Sequence, residues 1–152
     1  TALRPSGFFS NTFAWIEPVR TERLVAAPFG DVGLPSVDPG DIAAVAAVAL
    51  RTDGHSGRAY TLTGPATITP REQAAAVGTA IDAAITFVDL TPEQAKQNML
   101  RFMPEPVADH TLTILGAPTP EELEVSGDIE RVLGRPATAY PQWARRHRAL
   151  FA

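Results

Sequence analysis

Between Ala59 and Leu90 the hydrophobic pattern changes period twice, and this limits the fold more than any other feature. The run "AYTLTGP" alternates Tyr60 and Leu62 against Thr61 and Thr63, the period of a strand with one buried face. "ITPREQAAAVGTAI" follows, with Thr69, Pro70 and Glu72 spaced as a capping box. It predicts a helix to about Ile81 with Gly78 as its one weak point. "ITFVDL" returns to a strand, and "TPEQAKQNML" opens a further helix with Thr91, Pro92 and Gln94, which stops before Pro104. Strands alternating with capped helices specify an α/β chain.

The flanking segments fit the same class. "LRPSGFFSN" reads as a strand end at Thr1 to Arg4, a Gly turn, and a helix over Phe8 to Ile16 with Pro18 near its end. Leu24 to Ala27 is a short strand, and "FGDVGLPSV" is loop or a small hairpin. In "VDPGDIAAVAAVALRTDGHSG" Asp38 is the expected N-cap, Pro39 the first helical residue and Asp41 a first-turn acid. Ile42, Val45, Ala49 and Leu50 form its apolar face, and Gly54 or Gly57 ends it. "PVADHTLTILGAP" fits neither period cleanly and is read as helix with Gly116 as its stop. "SGDIERVLG" is a short helix capped by Ser126 and closed by Gly134. The last helix starts at Thr138 and carries Tyr140, Trp143, His147 and Leu150 or Phe151 on one face. The expected fold is α/β, a partial Rossmann-like sheet of four or five strands at most, with a mostly helical C-terminal lid subdomain. Residues 1–152 form a single domain.

Composition excludes several functions. A net charge of -4 leaves little to neutralise phosphates, so no nucleic-acid partner is expected. The basic run Arg145, Arg146, His147 and Arg148 reads as a solvated helix face. With no cysteine there is no disulfide, thiol nucleophile or Cys-ligated zinc, which fits a cytoplasmic location. The longest apolar run, Ile42 to Leu50, falls well short of the ~20 residues that span a bilayer, so no membrane partner is expected. No His pair has metal-ligand spacing, and no metal is expected. Thr1 in place of an initiator Met suggests a processed or truncated chain.

"LRPSGFFSNTFAW", "VDPGDIAAVAAVALRTDGHSGRAYTLTGP", "ITPREQAAAVGTAI" and "LGRPATAYPQWARRHRALF" together resemble the C-terminal half of NmrA-like proteins. These are atypical short-chain dehydrogenase/reductases that bind NAD(P). The likeness runs from Leu3 to Phe151 and is most specific in "DPGDIAAVAA…GRAYTLTGP". It implies that the Arg-Pro-x-x-Phe stretch follows the sixth strand of a Rossmann sheet and that the later helices close over a substrate. It also implies that Pro5, Gly7 and Phe8 approach the nicotinamide end of NAD(P), and that Phe9, Asn11 and Trp15 lie on the substrate side. The chain departs from the family in one large respect. It has no strand, Gly-rich turn and helix to hold a pyrophosphate, and "GDVGLPSVDPG" lacks the required spacing. A Tyr-x-x-x-Lys pair is also absent, since the single lysine, Lys96, sits on a helix expected to be exposed. The N-terminal dinucleotide-binding half is thus missing from the chain.

The residues themselves leave other readings open. The strand end with Phe8, Phe9, Phe13 and Trp15 is either a packed core or the wall of an apolar pocket or interface. His110, next to Asp109 and near Glu105, is a candidate general acid or base where it faces a cavity, and otherwise a histidine packed on a lid helix. His55 lies in a Gly-rich turn. Three functions follow. One is the substrate-binding portion of an NAD(P)-dependent reductase acting on a small apolar or aromatic molecule. Another is a standalone cofactor-free cyclase, isomerase or dehydratase that uses the same apolar pocket, with His110, Asp109 or Glu105 as its acid/base residues. The third is a non-enzymatic binding or regulatory module. A half sheet with an open edge and an uncovered face calls for a homodimer or for the missing half.

Overall fold

Four short strands pair as two parallel ribbons, and a crossover helix is what makes parallel pairing possible. In this computed structural model, which describes residues 1–152, β1 (Ala2–Pro5) pairs with β3 (Ala59–Leu62), Ala2 opposite Ala59 and Pro5 opposite Leu62. Likewise β2 (Leu24–Pro28) pairs with β4 (Thr86–Leu90), Leu24 opposite Thr86 and Pro28 opposite Leu90. The architecture is the partial Rossmann-like α/β fold with helices dominating its C-terminal half.

The segment after β1 differs from its predicted helix. Phe9–Trp15 is a 3-10 helix, and the α-helix α1 (Ile16–Glu22) begins only beyond it. Pro18 therefore sits in the first turn of α1 and not near its end. A proline is tolerated there because first-turn N–H groups have no intrahelical acceptor. In α2 (Pro39–Arg51) the Asp38 carboxylate accepts from Gly40 N at 2.8 Å, and Asp41 and Val45 are buried. Its apolar face stops short of Leu50, which is 86% exposed, and the helix ends at Thr52 ahead of both glycines.

Both capping boxes form, Thr69 with Glu72 on α3 (Pro70–Ile81) and Thr91 with Gln94 on α4 (Pro92–Met99). Gly78 is weak in propensity and required by packing: a Cβ there would stand 2.7 Å from Ala83 O in the turn that leads into β4. The ambiguous "PVADHTLTILGAP" is helical, as part of α5 (Glu105–Gly116). In α6 (Asp128–Leu133) the N-cap is Gly127, yet Ser126 Oγ still accepts from Asp128 N at 3.1 Å. The last helix is broken at His147 into α7 (Tyr140–Arg146) and α8 (Arg148–Phe151). Thr138 does not cap it, because its N–H and hydroxyl both bond Asp41.

Two cores result. Val37, Val45, Tyr60, Leu62 and Ile129 bury one face of β1–β3 beneath α2 and α6. Phe9, Val19, Val25, Val77, Tyr140, Trp143 and Phe151 fill the other, between β2 and helices α1, α3, α7 and α8. Each of the large fully buried side chains, such as Trp143, Phe9 and Phe151, contributes roughly 2–3 kcal/mol through burial. The opposite face of β1–β3 carries Ala2, Arg4, Ala59 and Thr61, all exposed.

Candidate functional site

A groove of about 360 Å³ opens at the carboxyl ends of β1 and β3, where parallel α/β sheets bind their ligands. Its floor is the turn Pro5-Ser6-Gly7. Ser6 N donates to Leu62 O at 3.0 Å, and Ser6 Oγ donates to Pro35 O. Val37 N donates to Gly7 O at 2.7 Å, and Phe9 N donates to Val37 O at 2.9 Å, so the turn is stitched to the 35–37 segment. Gly64, just beyond β3, donates its N–H to Ser36 O at 2.8 Å, and a Cβ on Gly64 would collide with that same carbonyl. Glycine is thus demanded by the close approach of two chain segments under the groove.

The outer wall is a lid stretch, held at both ends. Buried Thr63 accepts from Ser126 N at 3.0 Å, and Asp128 Oδ2 accepts from Thr61 N at 2.8 Å, which zips the stretch onto the edge of β3. At its start Thr119 N donates to Glu122 Oε2 at 2.7 Å and Glu122 N to Thr119 Oγ1 at 3.3 Å. Glu121, Glu122 and Glu124 line the groove from this side, with Ile114 of α5 beside them and Arg4 on the sheet side.

A second hollow of about 290 Å³ lies across Gly64, lined by Phe9, Pro65, Ile68, Tyr140 and Pro141 among others. Phe9 meets Tyr140 edge-on with centroids 5.0 Å apart. The Tyr140 hydroxyl donates to Thr12 Oγ1 at 3.0 Å, and Thr12 donates on to Phe9 O at 2.7 Å. Burial pushes the Tyr140 phenol above its ordinary range, outweighing the Thr12 bond. This hydroxyl is a structural donor with both its neighbours committed.

The structure scatters the residues singled out in the sequence. Pro5 and Gly7 line the main groove, with Phe8 adjacent and 40% exposed. Phe9 is buried and faces the second hollow, while Trp15 packs on the core around Trp143. Asn11 is exposed, and neither it nor Trp15 lines either cavity. Asp109 is not free to act with His110, because it pairs with Lys96 at 2.7 Å, as Glu105 does at 2.8 Å. Asp109, and after it Glu105, keeps Lys96 protonated above the usual lysine range. Lys96 is thus a tethered link between α4 and α5. His110 is exposed on α5, one turn before Ile114, and lines neither cavity. The basic run is not a free face either: Arg146 pairs with buried Asp38, and His147 stacks on Trp143 with centroids 4.5 Å apart.

The three lid glutamates and Thr63 were not singled out from the sequence. A signal was available: "TPEE" at Thr119 to Glu122 is a third Thr-Pro-x-Glu/Gln, the same cap chemistry as at Thr69 and Thr91.

The N–H groups of Gly7 and Phe8 have no acceptor within the chain. A pyrophosphate does not fit here, where the glutamates outnumber Arg4.

The fold is similar to about one half of longer NAD(P)H-dependent reductases. No protein-family model matches the chain. It is 36% identical over 153 residues to a (4-alkanoyl-5-oxo-2,5-dihydrofuran-3-yl)methyl phosphate reductase of Streptomyces griseus, and 35% identical over 153 residues to an NAD(P)H azoreductase of Xenophilus azovorans. These alignments take in 100% and 99% of this chain and 54% of each relative, so the chain spans about half the length of the curated relatives it matches. Among solved structures, the NADPH complex of an Escherichia coli NADPH-dependent quinone oxidoreductase superposes with a TM-score of 0.76 at 21% identity, over 94% of this chain and 51% of that one. A Citrobacter triphenylmethane reductase superposes with a TM-score of 0.76 at 18% identity, over 96% and 52%. No helix of this chain is long and apolar enough to cross a membrane.

Proposed function

We propose that this chain is the substrate-binding portion of an NAD(P)H-dependent reductase that acts on a small apolar or aromatic molecule. The observation that carries the reading is the groove at the carboxyl ends of β1 and β3, floored by Pro5-Ser6-Gly7 and walled by a latched lid. The sequence likeness to two named reductases supports it. NAD(P)H, when bound, supplies a hydride. Pro5 and Gly7, with the N–H groups of Gly7 and Phe8, are the residues of this chain that would hold its nicotinamide end. The Pro5, Pro35 and Ile114 surfaces would exclude water from an aromatic substrate lying against it. His110, exposed on α5 one turn before the groove-lining Ile114, is the proton donor we assign. Phosphate recognition falls to a mononucleotide-binding half joined to or associated with this one, in a cytoplasm that supplies the reduced cofactor.

Equilibrium titration with a neutral quinone tests this reading. Saturable binding by the chain is expected, weakened at least about fivefold by Thr61→Trp, which places a large ring on the groove's sheet side. No binding, or binding indifferent to Thr61→Trp, would overturn it. In the same assay NADPH should not saturate the chain by itself, because no residues for its phosphates are present. Tight NADPH binding by these residues alone would place the cofactor site elsewhere.

A further inference from the structure

We infer that the lid sets the charge preference of the groove: Glu121, Glu122 and Glu124 favour cationic aromatic substrates, admit uncharged ones and disfavour anionic ones. This rests on the groove being the substrate site. Glu121 and Glu124 line it, and neither side chain has a hydrogen-bond or ion-pair partner within the chain. Glu122 uses one oxygen to cap Thr119 and keeps its charge on the same wall. The one cation facing them is Arg4, on the sheet side.

The backbone that bears these carboxylates is held at both ends, by the Thr119–Glu122 box at the start of the lid and by the Ser126–Thr63 bond at its end. They do not converge as a metal site, since no three acidic or histidine side chains in the structure do so. A groove with one dominant sign of charge raises the local concentration of the opposite ion. About 360 Å³ suits a molecule of two or three rings. A phosphate monoester, the substrate type in the name of the Streptomyces griseus relative, would bring its negative charges against this wall. The chain therefore diverges from that relative in the substrates it takes.

The test uses three probes of one shape, a neutral, a cationic and a sulfonated triarylmethane, in equilibrium dialysis with the chain at low salt. The expected order of affinity is cation, then neutral, then sulfonate. Glu121→Gln with Glu124→Gln should shrink the cation-to-sulfonate ratio by roughly tenfold, about threefold for each exposed carboxylate. Salt at about 0.5 M should shrink it in the parent chain too. Both substitutions are at exposed positions, and circular dichroism confirms the fold before the ratios are compared. A neutral probe that binds while the two charged probes bind equally, or a ratio that survives both substitutions, overturns the charge preference and leaves the groove standing. A neutral probe that does not bind overturns the groove itself, and this inference with it.

Discussion

Tyr140 shows how a residue with an ionisable hydroxyl can serve the core. Its ring is buried against Phe9 and Trp143, and its hydroxyl is spent on Thr12. Burial favours the neutral phenol, so the folded state holds this proton more tightly than the unfolded chain, whose phenol titrates near 10.0. A raised folded value means that the contribution is fully present below about pH 10 and is lost as pH rises above it. Urea midpoints measured at neutral and strongly alkaline pH should therefore fall for the parent chain. They should fall less for Tyr140→Phe, which gives up the Thr12 bond, worth about 1 kcal/mol, at every pH. A parent and variant with the same alkaline slope would show that Tyr140 does not carry the effect.

At the scale of elements, the C-terminal helices are fastened to the start of α2 by two buried carboxylates. Asp38 caps α2 and also pairs with Arg146 of α7. Asp41 pairs with Arg135 at 2.7 Å and accepts from Thr138 N and Oγ1. The Asp41 side chain is only 2% exposed, so losing its cation leaves a buried charge with fewer partners. Arg135→Met should destabilise the chain by about 2 kcal/mol, below the usual range for a broken buried pair because Thr138 stays in place. Asp41→Asn combined with Arg135→Met should recover part of that loss, which chemical denaturation of the two variants would detect. Sequence periodicity located α2, α3 and α4 because Asp38, Thr69 and Thr91 act within their own first turns. It missed the break at His147 and the use of Thr138, since Asp41 lies 97 residues away from Thr138.

For the whole molecule, the open features are the face of β1–β3 that bears Ala2, Arg4, Ala59 and Thr61, and the edge of β1 away from β3. Unpaired strand N–H and C=O groups recruit another strand. We expect the chain to associate with a second copy unless a complementary half covers the edge. Light scattering over a roughly hundredfold range of concentration should show the mass rise towards twice the monomer value. A monomer throughout would mean that so short a β1 tolerates solvent.

The sequence by itself determined the class of fold and the capped helices. Those features depend on propensity, caps and turns acting over a few residues, and the family likeness was carried by the same stretches. Only the tertiary structure decided which polar residues face the groove. Asp109 looked like a base until Lys96 of the neighbouring helix claimed it, and Asn11 and Trp15 turned out to lie off both cavities. The lid glutamates line the groove on a stretch that Thr63, a strand residue with no mark of its own, holds at Ser126 from 63 positions away. Burial and long-range hydrogen bonds made those choices, and neither leaves a periodic trace in the chain.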